Sequence, residues 1–479
     1  VVCSVVAFLW GVVIIATDHS PFVPYGDGAL IEIAIRHAMS FHRTTGPYSR
    51  FGWDHPGPLF FYLQAPLCFL WRDAHALCVA ALTINSGAAA GTVALIRRQV
   101  GKEAGLWSAV IASVLVLQLG VPQMANGWGP NVIVFPTLLF VCAVSLSRGS
   151  LAITLLATGT GAFIAQTHVG TVPFVVVGTA ISLGLNVFRT PRQDAIRYAG
   201  AGAILLALLW SPPIAQEIAS SPGNLTAILR FAKSNSQVHG WTEVAERAAQ
   251  TLWRPNYEHN LPADLTGTAV GLAAFLIIAA SAFALGLKRK FVPSVLLSIL
   301  CLIGFGTELL GAHRATGPLE PYIWQWAAAL PAGALLGLLL PIAKRTYPVA
   351  LIAAPVAAGY IAIWSATTPI TGWITVRNSE ILDEVSLVRQ SLAPNRIVDL
   401  KFAGDSKSWS RGASLANELE RRGISVHVPN LYASMFDLPP MHGGDNGLHV
   451  QTGPIADTST LTPSIQFYLR GDHYLAVGR

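Results

Sequence analysis

Charge is scarce in this chain. Asp, Glu, Lys and Arg make up 12% of the 479 residues, where a soluble globular protein carries about 25%. Mean hydropathy is +0.51, and apolar runs of about twenty residues recur along the sequence. Together these exclude an ordinary soluble domain and predict a polytopic membrane protein whose spans are helices, because open sheet leaves backbone groups unpaired in lipid. Cysteine is also sparse. Cys3, Cys68, Cys78, Cys142 and Cys301 all lie in apolar stretches, with no CxxC or Cys/His cluster, so they read as small buried residues rather than a disulfide framework or a zinc site. HExxH, GxSxG and a Ser/Lys pairing are missing, which argues against a membrane protease or phosphatase. No internal repeat is visible, which disfavours a transporter built from inverted repeats. The net charge of +6 does not signal nucleic acid, since membrane proteins collect Lys and Arg on cytoplasmic loops.

The apolar runs give candidate spans at 1–17, 74–96, 105–120, 131–148, 151–167, 169–187, 197–212, 266–287, 291–309, 322–342 and 347–367, roughly eleven by the twenty-residue rule. The chain begins Val1-Val2 without Met, so a few residues are expected to precede it. No cleavage-like site stands before Asp18, and 1–17 is read as a first, uncleaved helix. Basic clusters at Arg97 to Lys102, Arg189 to Arg197, Lys288 to Lys290 and Lys344-Arg345 all fall inside if the N-terminus is cytoplasmic. That register holds only if 57–71 does not cross, so this stretch is read as a re-entrant or interfacial helix bent at Pro66. The first outer loop is then 18–73, and within it 28–41 reads as an amphipathic helix lying in the interface plane.

A second long outer loop is expected at 213–265, carrying Lys233, His239, Trp241, Arg254, Tyr257 and His259. The membrane domain ends near 367. From 368 to 479 the pattern shortens: IVDLKF (397–402) and ISVHVP (424–429) read as strands. Ser410 to Arg422 between them reads as a helix stopped by Gly423. A small extracytoplasmic α/β domain follows from this order.

The first outer loop holds far more ionisable side chains than a connector needs. Asp27 stands just past the first predicted helix. Arg36, His37, Arg43, Arg50, Asp54 and His55 follow. Asp27 also suits an N-cap, and Glu32 and Arg36, four apart, also suit a pair on a solvated face. A carboxylate beside clustered Arg and His at a membrane surface is what a phosphate-bearing lipid substrate needs. Arg grips the phosphate, and the carboxylate deprotonates a hydroxyl or holds a divalent ion. His168, in Gln166-Thr167-His168-Val169-Gly170, and Arg314 stand in later outer turns. Met124, Asn126, Trp128 and Asn131 in the third outer turn are candidates for a sugar pocket, and Tyr48, Trp53, Trp241, Trp253 and Tyr257 for stacking on sugar faces. An ordinary interface also collects aromatics.

Three stretches carry a family resemblance: Gly26-Asp27-Gly28-Ala29-Leu30-Ile31-Glu32, Asp54-His55-Pro56-Gly57-Pro58-Leu59 and Leu95-Ile96-Arg97-Arg98. In order and spacing they resemble the first outer loop and second span of the GT-C membrane glycosyltransferases. That class uses polyprenyl-phosphate sugars and includes protein O-mannosyltransferases, aminoarabinose transferases and actinobacterial arabinofuranosyl- and mannosyltransferases. The resemblance implies a GT-C-like fold of about eleven transmembrane helices. It implies Asp27 as catalytic base or metal-anchoring carboxylate, and Glu32, Arg36, Arg50, Asp54, His55, His168 and Arg314 as substrate- or phosphate-binding residues. Where the family commonly has a second acidic residue, this chain has Gly28. A divalent cation, Mg or Mn, is then held by Asp27 and His55 if by any residues here.

The expected function is transfer of a hexose or pentose from a polyprenyl-phosphate donor to a hydroxyl of an extracytoplasmic glycan, lipid or protein, in a multi-pass cell-membrane protein. The alternatives are a non-catalytic lipid- or glycan-binding member of the same fold and a flippase for lipid-linked sugars. A flippase calls for ionisable residues near mid-bilayer, whereas the charges here gather in outer loops.

Overall fold

The structure, a computed structural model, describes residues 11–13, 17, 22–71, 73–147, 149–234, 237–253, 265–367, 375–377, 379–392, 397–402, 406–441, 448–454, 466–470 and 473–478. Most of the predicted span 1–17 lies outside the described residues, as do Cys3, Arg254, Tyr257 and His259.

The chain folds as a helical bundle followed by a small α/β unit. Strand β1 (Phe22–Pro24) leads into α1 (Asp27–Met39), then α2 (Leu59–Leu70), α3 (His75–Gln99), α4 (Lys102–Leu119), α5 (Val134–Ser145), α6 (Leu151–Thr167), α7 (Val172–Arg189) and α8 (Arg192–Ala219). Helices α9 (Asn224–Ser234), α10 (Trp241–Trp253), α11 (Leu265–Lys288), α12 (Val292–His313), α13 (Ala329–Leu339) and α14 (Tyr347–Thr367) complete the bundle. Among the described residues seven helices are long and apolar enough to cross a membrane: 75–99, 102–119, 169–188, 192–219, 267–288, 292–313 and 321–342. Shorter apolar helices at 129–145, 151–167 and 347–363 stand among them. Each predicted span from 74–96 onward coincides with one of these helices. Helix α2, with 12 residues, is about 18 Å long and falls short of the roughly 30 Å hydrocarbon layer. It carries Pro66 inside and buries Phe60, Phe61, Gln64, Ala65 and Cys68, while Leu63, Phe69 and Leu70 stay exposed.

Two expectations change. Residues 213–265 are not one irregular loop. Helix α8 runs on through Pro212 and Pro213 to Ala219, and α9 and α10 occupy much of the rest. Helix α10 buries Val244, Ala248 and Leu252 at helical spacing, so its apolar stripe adds to the bundle. Nor does α1 keep one wet face. Ile31, Ala34, Ile35 and Ala38 join the core of the bundle, while Ala29, Leu30 and Ile33 join a second core built by the C-terminal unit. The face that local periodicity marks as solvated is covered by another domain.

That unit contains β2 (Thr375–Arg377), α15 (Ser379–Ser391), β3 (Val398–Phe402), α16 (Ser406–Arg421), β4 (Val426–His427), α17 (Asn430–Phe436), β5 (Leu448–Pro454), β6 (Gln466–Arg470) and β7 (His473–Gly478). The sheet order is β4-β3-β5-β7-β6, with β3 parallel to β4 and β5, and β5, β7 and β6 antiparallel. The strand–helix–strand read from 397–429 is present. Gly423, at φ 75°, ends its helix in the left-handed conformation that glycine tolerates. Strand β2 pairs antiparallel with β1, Val23 opposite Val376, which ties the segment before α1 to the segment after α14. At the seam Glu32, 7% exposed, accepts from Arg36 Nη1 at 2.9 Å, Arg421 Nε at 2.9 Å and Asn417 Nδ2 at 3.2 Å.

Candidate active site

The site is built on the N-terminus of α1. Gly26 precedes it at φ 52°, and a Cβ there would stand 3.1 Å from Ser410 Oγ of α16, so glycine suits both the backbone and the close approach. Asp27 follows in the first helical turn, where the helix dipole favours an acid. Its carboxylate does not cap the helix. Oδ1 accepts the Tyr48 hydroxyl at 2.5 Å, and the Trp128 indole donates to the same carboxylate.

Tyr48 comes from a turn that folds back on itself. Gly46 N donates to His55 O at 2.9 Å, His55 N to Pro47 O at 2.7 Å, and Ser49 N to Trp53 O at 2.9 Å. A Cβ on Gly46 would meet Gly57 O at 2.7 Å, so a side chain there collides with backbone. Asn224 of α9 holds the turn from outside: its Oδ1 accepts from Asp54 N at 2.8 Å and its Nδ2 donates to Asp54 O at 2.9 Å. Gly57 N reaches Gln166 O at 3.2 Å, which docks the turn onto the end of α6, beside His168.

These elements enclose a cavity of about 250 Å³ lined by Asp27, Tyr48, Arg50, Trp53, His55, Trp128, His168 and Tyr322, with Leu30, Ile31 and Phe61 as apolar wall. Of the residues proposed from sequence, the structure brings Asp27, Arg50, His55 and His168 to this one space. Of the sugar-pocket and stacking candidates, Trp128, Tyr48 and Trp53 also line it, while Met124, Asn126, Asn131, Trp241 and Trp253 do not. His55 and His168 stack with ring centroids 5.0 Å apart. Burial, then the neighbouring His168, holds His55 well below the usual 6.5. Burial likewise lowers His168, in the turn after α6, to about 4. Both rings are neutral at pH 7 and offer hydrogen bonds rather than charge. His55 Nδ1 accepts from Val169 N at 3.2 Å, which fixes the tautomer with its proton on Nε2. His168 Nδ1 and Trp53 Nε1 are buried with no hydrogen-bond partner among the described residues, so the cavity wall retains polar atoms for a ligand to satisfy. Burial raises Asp27 above the ordinary 3.8, against the lowering by Tyr48 and Trp128. A carboxylate made more basic is a better proton acceptor.

The other sequence candidates lie elsewhere. Glu32 and Arg36 do not line the cavity. They belong to the seam with α16, where Arg36 also donates to Asn417 Oδ1 at 2.8 Å. Asp54 points to Thr45 Oγ1 at 2.6 Å and Arg43 Nη2 at 3.2 Å. Arg314 ends α12 and does not line the cavity, although Arg50 Nη2 reaches Thr316 O close by at 3.4 Å. Among the charged lining residues, Arg43 reads from sequence only as one of the clustered cations of the first outer loop, and Asp437 is not a sequence candidate. Arg43, buried at 7% exposure, bonds Gly46 O at 2.8 Å and lies between Asp54 and Asp437, each at 3.2 Å. Asp437 stands just past α17, with φ at 54°, in a region a non-glycine residue rarely adopts. It also takes His37 Nδ1 at 2.8 Å. Its burial alone would raise it, but His37 and Arg43 hold it below 3.8. No local signal marks Asp437, since its partners lie some 400 positions away.

The residues around Asp27 do not fit a divalent cation. Its immediate neighbours are hydrogen-bond donors, Tyr48 and Trp128, where a metal needs further oxygen or nitrogen ligands. Among the described residues no three His, Cys, Asp or Glu side chains are grouped to hold a metal ion.

No protein-family model matches the chain, and no curated protein matches it in sequence. Among solved structures it is similar to ArnT from Cupriavidus metallidurans bound to undecaprenyl phosphate, at 12% identity and a TM-score of 0.64, covering 99% of this chain and 97% of that one. The apo state of the same ArnT gives 12% identity and a TM-score of 0.45, with the same coverage. The Archaeoglobus fulgidus oligosaccharyltransferase in complex with zinc and sulfate gives 13% identity and 0.47, covering 95% of this chain and 68% of that one. The first likeness spans nearly the full length of both chains and shows the fold: a polytopic helical GT-C-like membrane protein with a C-terminal α/β unit.

Proposed function

We propose that this chain is a membrane glycosyltransferase that moves a sugar from a polyprenyl-phosphate donor to a hydroxyl of an extracytoplasmic glycan, lipid or protein. One observation carries the reading: the carboxylate of Asp27, made more basic by burial, shares a cavity with Arg50, Arg43 and two neutral histidines. A similar fold that binds undecaprenyl phosphate in ArnT supports a lipid-phosphate donor. The cavity and the α/β domain, residues 368–479, lie on the outer side of the membrane, and the N-terminus and basic turns on the cytoplasmic side.

The acceptor hydroxyl attacks the anomeric carbon while Asp27 takes its proton. The bond from that carbon to the phosphate oxygen breaks, and polyprenyl phosphate leaves with the electron pair. Arg50 neutralises the charge that develops on the leaving phosphate, while Arg43 stays held between Asp54 and Asp437, and His55 donates its Nε2 proton as a hydrogen bond. Trp53, Trp128 and Tyr322 offer flat faces to the sugar. Asp27→Asn, at matched expression, tests the assignment with a radiolabelled polyprenyl-phosphate sugar in membranes. Transfer at the wild-type rate discards Asp27 as base. Donor bound by the wild type without any transfer favours the non-catalytic alternative.

A further inference from the structure

The far end of the bundle holds a second concavity. Helix α3 runs 25 residues from His75, about 37 Å. A groove of about 340 Å³ opens just beyond its end. Its walls come from three separate turns: Val100 after α3, Phe291 between α11 and α12, and Leu340, Lys344 and Arg345 after α13. Those turns carry eight cations, within 97–102, 288–290 and 344–345, and all eight are exposed. Glu103 is the acid among the groove residues.

Pairing differs along the molecule. Toward the cavity end Arg36, Arg43, Arg411 and Arg421 each have a carboxylate partner, and Arg50, on the cavity wall, reaches a backbone carbonyl instead. Among the described residues, none of the eight cations at the groove end has an ion pair or a side-chain hydrogen bond. Unpaired cations around an apolar-walled groove complement a ligand that brings a phosphate and a hydrocarbon together.

We propose that this groove binds the headgroup of an anionic phospholipid, with Lys344 and Arg345 on the phosphate and Val100, Phe291 and Leu340 against the glycerol and upper acyl chains. The site is separate from the donor cavity and independent of the proposed transfer reaction. The test uses purified full-length protein in neutral detergent, with retention of added phosphatidylglycerol and phosphatidylcholine read by native mass spectrometry. Wild type should retain phosphatidylglycerol selectively. Lys344→Gln with Arg345→Gln should weaken that retention on the order of thirtyfold, since each cation near an anionic lipid contributes about fivefold. Lys344→Arg with Arg345→Lys should restore it. Equal retention of the two lipids by wild type, or undiminished retention by a folded double Gln variant, overturns the proposal. So does full displacement of the lipid by millimolar inorganic phosphate, which would make the groove a free-anion site. If the double variant does not fold, each single Gln substitution provides the same reading, and wild-type selectivity stands as the deciding measurement.

Discussion

Replacing Glu32 by alanine tests the seam between the bundle and the C-terminal domain. Glu32 is 7% exposed and accepts from Arg36, Asn417 and both Nε and Nη2 of Arg421. Its removal leaves two guanidinium groups facing each other with their shared carboxylate gone. Breaking a buried pair from one side costs about 3–5 kcal/mol. Arg36 and Arg421 retain partial solvent access, at 24% and 20%, so the lower bound applies: about 3 kcal/mol, or roughly a hundredfold rise in the opening equilibrium of the seam. Native-state hydrogen exchange on α1 and α16 reads this directly, and limited proteolysis should release the C-terminal domain sooner. Glu32→Gln keeps an acceptor and should fall between wild type and alanine. Unchanged exchange in α1 and α16, together with lost donor binding, would refute the reasoning and return Glu32 to the substrate site.

Asp27→Asn should lower transfer by about 10²–10⁴, the range for a lost general base, at unchanged folded yield. The acid limb of kcat/KM against pH should lie above 3.8, because Asp27 is raised and must be ionised to accept a proton. Tyr48→Phe removes a donor that lowers it and should move that limb to higher pH. Arg50→Ala should raise the donor KM roughly tenfold to a hundredfold, as for a lost charged hydrogen bond, and change stability by about 0.5 kcal/mol at most. Asp437 is held below 3.8 in the folded state. Its contribution to the seam is present above that pH and is lost as pH falls through the folded value. Asp437→Asn should abolish this acid-side rise in exchange around α17.

The run of spans was legible because a membrane helix is specified locally, by length and hydropathy. His55 and His168 were picked out instead by the family resemblance, which short motifs in the first outer loop and at the end of a span carry. The α/β order of 397–429 followed from period and a glycine stop. Sequence could not reveal which partner covers which face. Glu32 and Arg36 satisfy the i,i+4 pattern of an exposed pair, and their partners Asn417 and Arg421 lie beyond position 400. Arg43 and Asp437 are joined across the same distance in the chain. The continuation of α8 through Pro212-Pro213 runs against proline's ordinary effect on a helix, so a local reading ends that helix too early.

The pairing of β1 with β2 joins Phe22–Pro24 to Thr375–Arg377, so the polypeptide returns at its last span to the place it left near its first. Asp27 finds its own partners much nearer in the chain, at Tyr48 and Trp128. Its neighbouring arginine, Arg43, meets Asp437 far later in the chain. A chain cut within the bundle would keep its apolar helices but lack Asp437, so the wall of the cavity around Arg43 would be incomplete.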